Sequence, residues 1–122
     1  MSRYSRRHYK PVFLCNALTN INSYISCFAT IIDLRPSTIP SRPIILTLDD
    51  GTGRVGGVYF SEGCDEEHLD IVDDVVVYGY TQIYRQDIQL KCDRIKLVTD
   101  PNLQSLWINQ IVNYDSVNKE KN

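Results

Sequence analysis

The sequence lacks the features that place a protein in or across a membrane. No apolar run approaches the ~18 residues that a transmembrane helix requires, and hydrophobic residues make up 43% of the 122 positions, an ordinary share for a soluble domain. No apolar block follows the basic first ten residues, as a secretory signal would require. We therefore expect a single domain, by the usual allowance of roughly 100 to 200 residues, with no membrane partner.

Cysteine and histidine are too few and too scattered for a metal site or a catalytic centre. Neighbouring cysteines are 12, 37 and 28 positions apart, with no Cys-x-x-Cys pair, and neither of the two histidines is placed by a rigid scaffold near a candidate nucleophile. The sequence therefore predicts no metal, no cofactor and no enzymatic activity. We expect reduced thiols in a nuclear or cytosolic protein. The residues concerned are Cys15, Cys27, Cys64, Cys92, His8 and His68.

One glycine pattern, at 51–56, matches the G-x-G-x-x-G phosphate-binding motif. That motif needs a following helix whose amides point at the phosphates, whereas residues 57–60 form a β-type run. We therefore interpret these glycines as hairpin geometry. The adjacent Asp49 and Asp50 are expected to accept hydrogen bonds from their own turn rather than to hold a metal.

Charge is unevenly distributed, although the net charge is only −2. The first ten residues carry four basic side chains, which leaves nine basic and fifteen acidic residues, a charge of about −6, in the rest of the chain. Seven acidic residues lie in a connector at 61–74. So acidic a body argues against strong DNA binding by this chain alone. We predict a flexible basic head at 1–10, one domain at 11–116 and a flexible tail at 117–122.

Runs rich in β-branched and aromatic residues predict an all-β domain with a C-terminal helix. A loop with three prolines separates the first two runs, and residues 49–53 predict a tight hairpin. Asp100 is a candidate N-cap for a helix at about 101–114. Because a sandwich needs about seven strands, this pattern favours a five-stranded Greek-key barrel of the OB type. The predicted strands are 24–34, 43–48, 54–60, 74–85 and 88–98, with a bulge near Asp93 or Arg94.

The fourth predicted strand has one aliphatic and one aromatic face. Tyr78, Tyr80 and Tyr84 share one side, because side chains alternate along a strand. Core or surface tyrosines are the plain interpretation, but OB barrels also stack bases on exposed rings while basic side chains follow the phosphates. The candidate DNA-binding residues are Phe60, Tyr78, Tyr80, Tyr84, Arg85, Lys91 and Arg94.

The predicted helix is more apolar than packing on one barrel requires. Its apolar residues cover about 240° of the helical wheel, against the ~100° stripe of an ordinary surface helix. Ile108 and Val112 form the surplus face, with an edge of Trp107 or Ile111, and such anchors are typical of a protein interface. The alternative is full burial of the helix within the chain.

Four segments, in this order, resemble the Stn subunit of the telomeric CST (Ctc, Stn, Ten) complex, a relative of the middle subunit of replication protein A. The third segment carries Gln82 where some members of the family have a basic residue. Many members also continue into a winged-helix region, so this chain is expected to be a compact member or an excised barrel. The segments are Pro11-Val-Phe-Leu-Cys-Asn16, Leu48-Asp-Asp-Gly-Thr-Gly-Arg-Val55, Tyr78-Gly-Tyr-Thr-Gln-Ile-Tyr-Arg85 and Val98-Thr-Asp-Pro101.

The resemblance implies a non-enzymatic protein of the nucleus, located at the telomeres of chromosomes. Its expected partners are a Ten-type OB subunit, with which it forms a heterodimer, and single-stranded telomeric DNA, with a large Ctc-type subunit and DNA polymerase α as further candidates. Its expected role is chromosome-end protection and lagging-strand fill-in. In this sequence, the resemblance implies that the helix and the hairpin contact the partner through Trp107, Ile108, Ile111 and Asp49. It also implies that Phe60 and Tyr84 contact DNA.

Two other functions are compatible with the sequence. One is a general single-strand-binding subunit similar to the middle subunit of replication protein A, which would show no preference for telomeric repeats. The other is a structural adaptor that makes no contact with nucleic acid.

Overall fold

The computed structural model describes residues 8–35, 43–60 and 69–120. Most of the predicted basic head, of the proline-rich loop and of the acidic connector lies outside these ranges. Within the described ranges, six strands, a 3₁₀ helix and one α-helix follow in the order β1 (Lys10–Pro11), the 3₁₀ helix (Leu14–Asn20), β2 (Tyr24–Arg35), β3 (Ile44–Asp49), β4 (Arg54–Tyr59), β5 (Asp74–Tyr84), β6 (Asp87–Leu97) and α1 (Leu103–Glu120).

The strands close into a barrel. Their order in the sheet is β1-β2-β3-β4-β6-β5, and a pairing of β2 with β5 completes the circle. Pairing is antiparallel except between β4 and β6 and between β1 and β2. This is the five-stranded Greek-key barrel of the OB type that the sequence predicts, with the two-residue β1 added beside β2. So short a strand shows no alternation, which explains why the sequence pattern did not reveal it.

The helix differs most from its prediction. It begins at Leu103 and continues to Glu120, whereas the sequence predicts an end at about 114. The physical reason is that no glycine or proline follows Pro101 to end the helix. At its start the side chain of Asp100 accepts a hydrogen bond from the Asn102 amide at 2.9 Å, as expected of a cap.

Alternating residues of the strands fill the barrel. Bulky aliphatic side chains such as Ile25, Leu48 and Leu90 are fully buried there. The predicted bulge is present in β6, because Tyr78 pairs with Arg94 whereas Gly79 pairs with Cys92, which leaves Asp93 unpaired in the ladder. The bulge restores the inward phase of the second half of β6.

Two interior cysteines are chemically protected. Burial raises the pKa of the Cys27 thiol to about 12, with a further contribution from the charge of Asp50. Burial also raises the pKa of Cys92 well above its ordinary value. Cys15, by contrast, is exposed on the 3₁₀ helix, and all three are free thiols. Cys64 lies outside the described residues.

A second, smaller core lies between α1 and the outside of the barrel. Val76, Trp107 and Ile111 are buried there, against partly buried side chains that include Phe28 and Tyr78. Val76 and Phe28 are neighbours across β5 and β2. The helix therefore covers the outward side of these two strands near the start of β5. Among the described residues, no helix is long and apolar enough to cross a membrane.

Candidate nucleic-acid interface

The described residues leave the opposite side of the barrel uncovered. It consists of outward-facing side chains of β3, β4, β6 and the end of β5, and we name it the open face. Gly56 lies near its centre, and a Cβ built on this residue meets nothing within 4 Å. The face is defined by Ile45, Thr47, Gly56, Val58, Gln82, Gln89 and Lys91, which lie opposite one another in the ladders.

Two of the predicted DNA-binding aromatics flank the open face at opposite ends. Phe60 follows the last residue of β4 and is 44% exposed, whereas Tyr84 ends β5 and is 50% exposed. Tyr84 pairs with position 87 of β6, and Gly56 pairs with position 89. Because β4 runs parallel to β6, Phe60, four residues after Gly56, lies level with position 93. The two aromatic residues are therefore six residues apart along the strand direction. That separation is about 20 Å by the usual rise per residue in a strand. The rings can therefore bracket a chain of several nucleotides.

The predicted basic residues are exposed, as phosphate contact requires. Lys91 and Arg94 project from β6, opposite Tyr80 and Tyr78 of β5. Neither forms an ion pair with any residue in the described part of the chain. Arg85 lies in the turn after β5 with a left-handed φ of 51°, and its guanidinium carbon is 5.2 Å from the centre of the Tyr84 ring. A cation and an aromatic ring thus lie together at this end of the face.

Tyr78 and Tyr80 lie in a different environment from Tyr84. The centre of the Tyr78 ring is 5.3 Å from that of Tyr9, and the centre of the Tyr80 ring is 5.0 Å from that of Tyr24. The Tyr9 hydroxyl also donates a hydrogen bond to Asp93 at 2.8 Å. These two predicted site residues therefore sit in a tyrosine cluster beneath the N-terminal segment. The alternation of side chains along β5 predicts that the two tyrosines share one side of the strand, but it does not predict that the N-terminal segment covers them.

The hairpin carboxylates hold their own turn, as the sequence predicts. Asp49 accepts a hydrogen bond from the Gly51 amide at 2.7 Å and pairs with Arg54 at 2.8 Å, and these two contacts hold its pKa below the ordinary value. Asp50 accepts from the amide of Thr52 at 2.8 Å and from that of Leu14 at 2.7 Å. Asp50 thus also joins the hairpin to the 3₁₀ helix, a long-range contact without a local sequence signal.

The predicted partner residues on α1 separate into two groups. Trp107 and Ile111 are buried against the barrel, whereas Ile108 and Val112 are 42% and 52% exposed. The surplus apolar face predicted for the helix is thus Ile108 and Val112, and Leu106 is exposed on another side. At the start of the helix lies a cavity of about 310 Å³ whose lining includes Phe28, Ile32, Asp49 and Gln104. Asp49 and the start of the helix therefore border the same depression.

No group of histidine, cysteine and acidic side chains in the described ranges has the arrangement to hold a metal ion.

Known proteins resemble this chain in structure rather than in sequence. No family model and no curated protein matches the sequence. The fold and its open face define an OB-fold module. A chain of the S. pombe Stn1–Ten1 complex superposes with a TM-score of 0.77 at 14% identity, covering 93% of this chain and 96% of that one. A chain of a replication protein A heterotrimer bound to single-stranded DNA superposes with a TM-score of 0.75 at 13% identity, and the match covers 89% of this chain and 96% of that one.

A third structure, of yeast Stn1 and Ten1, gives a TM-score of 0.62 at 10% identity and covers 77% of this chain and 52% of the other. The predicted resemblance is thus confirmed at the level of the fold.

Proposed function

We propose that this chain is a non-enzymatic OB-fold subunit that binds single-stranded DNA across the open face and pairs with a second OB subunit through the exposed side of α1. The observation that carries this proposal is the similarity, over nearly the whole chain, to structures of a Stn1–Ten1 complex and of replication protein A bound to single-stranded DNA. The open face and the exposed helix side supply one surface for each kind of partner.

In this proposal the two bracketing aromatics stack on bases and the basic residues neutralise phosphates. Phe60 and Tyr84 are the primary stacking residues, since each is about half exposed. Lys91, Arg94 and Arg85 provide the phosphate contacts. Tyr78 and Tyr80 are secondary, because the N-terminal tyrosine contacts their cluster. The body charge of about −6 implies that affinity depends on the assembled complex, since affinity rises with the number of phosphates neutralised.

Alanine at Phe60 and at Tyr84 tests the stacking role. Each stacked base contributes roughly 1–3 kcal/mol, so each variant is expected to weaken single-strand binding by the assembled complex between about 5-fold and 150-fold. Fluorescence anisotropy with a labelled oligonucleotide measures this, and Ile71→Ala, an exposed apolar residue elsewhere, is the control. Unchanged affinity in both aromatic variants would favour the structural adaptor.

Pairing is proposed to use Ile108 and Val112 as direct contacts. Trp107 and Ile111 act indirectly by fixing the helix on the barrel, and Asp49 contributes at the neighbouring hairpin. Aliphatic side chains that are half exposed on a helix lose water when a partner covers them, which is the usual source of interface stability. The expected partner is a Ten-type OB subunit.

Light scattering of the chain alone and co-expressed with a Ten-type subunit tests this pairing. We expect a one-to-one complex that Ile108→Asp disrupts. Asn109→Asp is the matched control, because it adds the same charge to an exposed position on the same helix. A chain that stays monomeric beside the subunit, or equal behaviour of the two variants, would contradict the proposed interface.

The finer proposal places the complex at telomeres in the nucleus, where it caps chromosome ends and supports lagging-strand fill-in with a Ctc-type subunit and DNA polymerase α. The similarity to the replication protein A structure favours a second candidate, general single-strand binding in replication and repair. Competition between telomeric-repeat and mixed-sequence oligonucleotides distinguishes the two. A preference of the complex for the repeat supports the telomeric role, and equal affinities support the general one.

A further inference from the structure

A row of residues without large apolar side chains crosses the middle of the open face. Thr47 of β3 lies opposite Gly56 of β4, which lies opposite Gln89 of β6, which in turn lies opposite Gln82 of β5. All four point outward. The rows on either side do contain large side chains. One row contains Val58, Lys91 and Tyr80, and the other ends at Tyr84.

The two glutamines form a pair with unused hydrogen-bonding capacity. Gln82 Nε2 donates to Gln89 Oε1 at 3.0 Å, and both residues are half-buried. This bond leaves Gln82 Oε1 as an acceptor and Gln89 Nε2 as a donor, and neither atom bonds to another group in the described ranges. Because each amide restricts the other, the remaining donor and acceptor are held in place before any ligand arrives.

Gly56 leaves the Gln89 side of this pair open. A side chain at this position would stand beside Gln89 on the outer surface, but the glycine has none, and the space above it is unoccupied to at least 4 Å from an added Cβ. A flat ring can therefore lie against the backbone of β4 with its edge toward the glutamines. The other two strand glycines differ, since an added Cβ at Gly57 or Gly79 would meet protein atoms at 3.1 Å or 2.6 Å.

We infer that Gly56, Gln82 and Gln89 form a base-reading position, in which one unpaired base lies over Gly56 and exchanges hydrogen bonds with the glutamine pair. The inference rests on the proposed single-strand binding and adds sequence discrimination to it. Phe60 and Tyr84 stack on bases without regard to identity, whereas fixed amides distinguish one edge from another.

The position is expected to distinguish adenine, cytosine and thymine from one another. The unused atoms of Gln82 and Gln89 supply one acceptor and one donor, and the bases carry their own donors and acceptors at different places on their edges. A base that meets both atoms should be favoured about tenfold.

The test measures the affinity of the assembled complex for homopolymers of deoxyadenosine, deoxycytidine and thymidine of equal length. We expect Gln89→Leu to weaken binding to one of the three homopolymers about tenfold and to leave the other two nearly unchanged. Gly56→Val, which fills the space over the strand, should weaken binding to all three. Gln110→Leu, at an exposed position of α1 away from Ile108 and Val112, is the matched control, and melting temperatures show that each variant is folded.

The possible failures are distinguishable. Absence of single-strand binding by the unmodified complex would overturn the proposed function together with this inference. If binding is normal, but Gly56→Val leaves it unchanged, or Gln89→Leu weakens all three homopolymers equally or none of them, the base-reading position alone is overturned.

Discussion

The two outward sides of the barrel differ in what covers them. On one side α1 and the N-terminal segment pack over β2 and β5, so that Val76 is buried although it points away from the interior. On the other side, no residue in the described ranges covers β3, β4 and β6 around Gly56. Strand β5 belongs to both, since its aromatic side begins under the helix at Val76 and ends exposed at Tyr84.

Under the proposed function, this difference separates structural from recognition roles among chemically similar residues. Tyr78 and Tyr84 share one side of β5, but the first packs in an aromatic cluster and the second is exposed. The same holds on α1, where Trp107 stabilises the fold and Ile108 is available to a partner. A substitution on the covered side should therefore change stability, whereas one on the open side should change binding.

The largest expected effect is at Trp107. Truncation to alanine removes a buried indole and should lower the free energy of unfolding by about 3–5 kcal/mol, while Ile108→Ala should change it by less than about 1 kcal/mol. Chemical denaturation measures both. Trp107→Phe should cost clearly less than alanine, because the buried Nε1 of Trp107 has no hydrogen-bond partner in the described part of the chain. Equal losses of stability at Trp107 and Ile108 would contradict the conclusion that one side of the helix packs on the barrel and the other is exposed.

The next largest effect separates two glycines. An alanine Cβ at Gly79 would lie 2.6 Å from the Lys91 carbonyl oxygen, which is backbone and cannot move aside easily, so Gly79→Ala should cost about 2–3 kcal/mol. Gly56→Ala should stay within about 0.5 kcal/mol of the unmodified protein, since its Cβ meets open space. Thermal unfolding of the two variants makes the comparison. A comparable loss of stability at both positions would contradict the steric explanation. It would mean that the two glycines affect stability through their backbone flexibility alone.

A smaller effect distinguishes the interior thiols from the surface. In a Cys64→Ser background at pH 8, a thiol reagent should modify Cys15 rapidly and Cys27 and Cys92 only after denaturation, because the thiolate is the reactive form. Mass spectrometry of the labelled protein is the measurement. Rapid labelling of Cys27 in the folded protein would contradict its placement in the core.

The raised pKa of Cys27, about 12, also predicts how stability depends on pH. The contribution of this thiol to stability is maintained below about pH 9 and falls as the pH rises toward about 12, because the unfolded chain loses the proton first.

Periodicity and turn residues predict the barrel because they act locally. Alternation along β2 and β5 separates an inner from an outer side, the hairpin at 49–53 has its own hydrogen bonds, and the phase slip near Asp93 is visible as a bulge. The surplus side of α1 also follows from the helical wheel, although the wheel gives only the size of the apolar arc. Which part of that arc meets the barrel depends on Val76 and Phe28, which are far away in sequence.

The covering of the tyrosines and the openness of Gly56 could not be read from the sequence. Tyr9 reaches Asp93 across 84 positions, and no local pattern encodes such a contact. Gly56 and Gly57 are neighbours in sequence with opposite surroundings, because one points outward and the other toward Leu46 and Cys92. Their roles depend on strand register, which is a property of the closed barrel.

The smallest expected effect is on the ionisation of Asp49, at the margin between the two sides. The Gly51 amide and the Arg54 side chain both lower its pKa, and the hydrogen bond from the amide is the largest single contribution. Arg54→Gln should therefore raise the pKa of Asp49 only part of the way to its ordinary value, as carboxyl chemical shifts across an acid titration would show. Since the lowered pKa keeps this carboxylate charged in mildly acidic solution, a partner that pairs with Asp49 should lose affinity only below that range. A full return of the pKa in the variant would mean that the ion pair, rather than the turn, holds the charge.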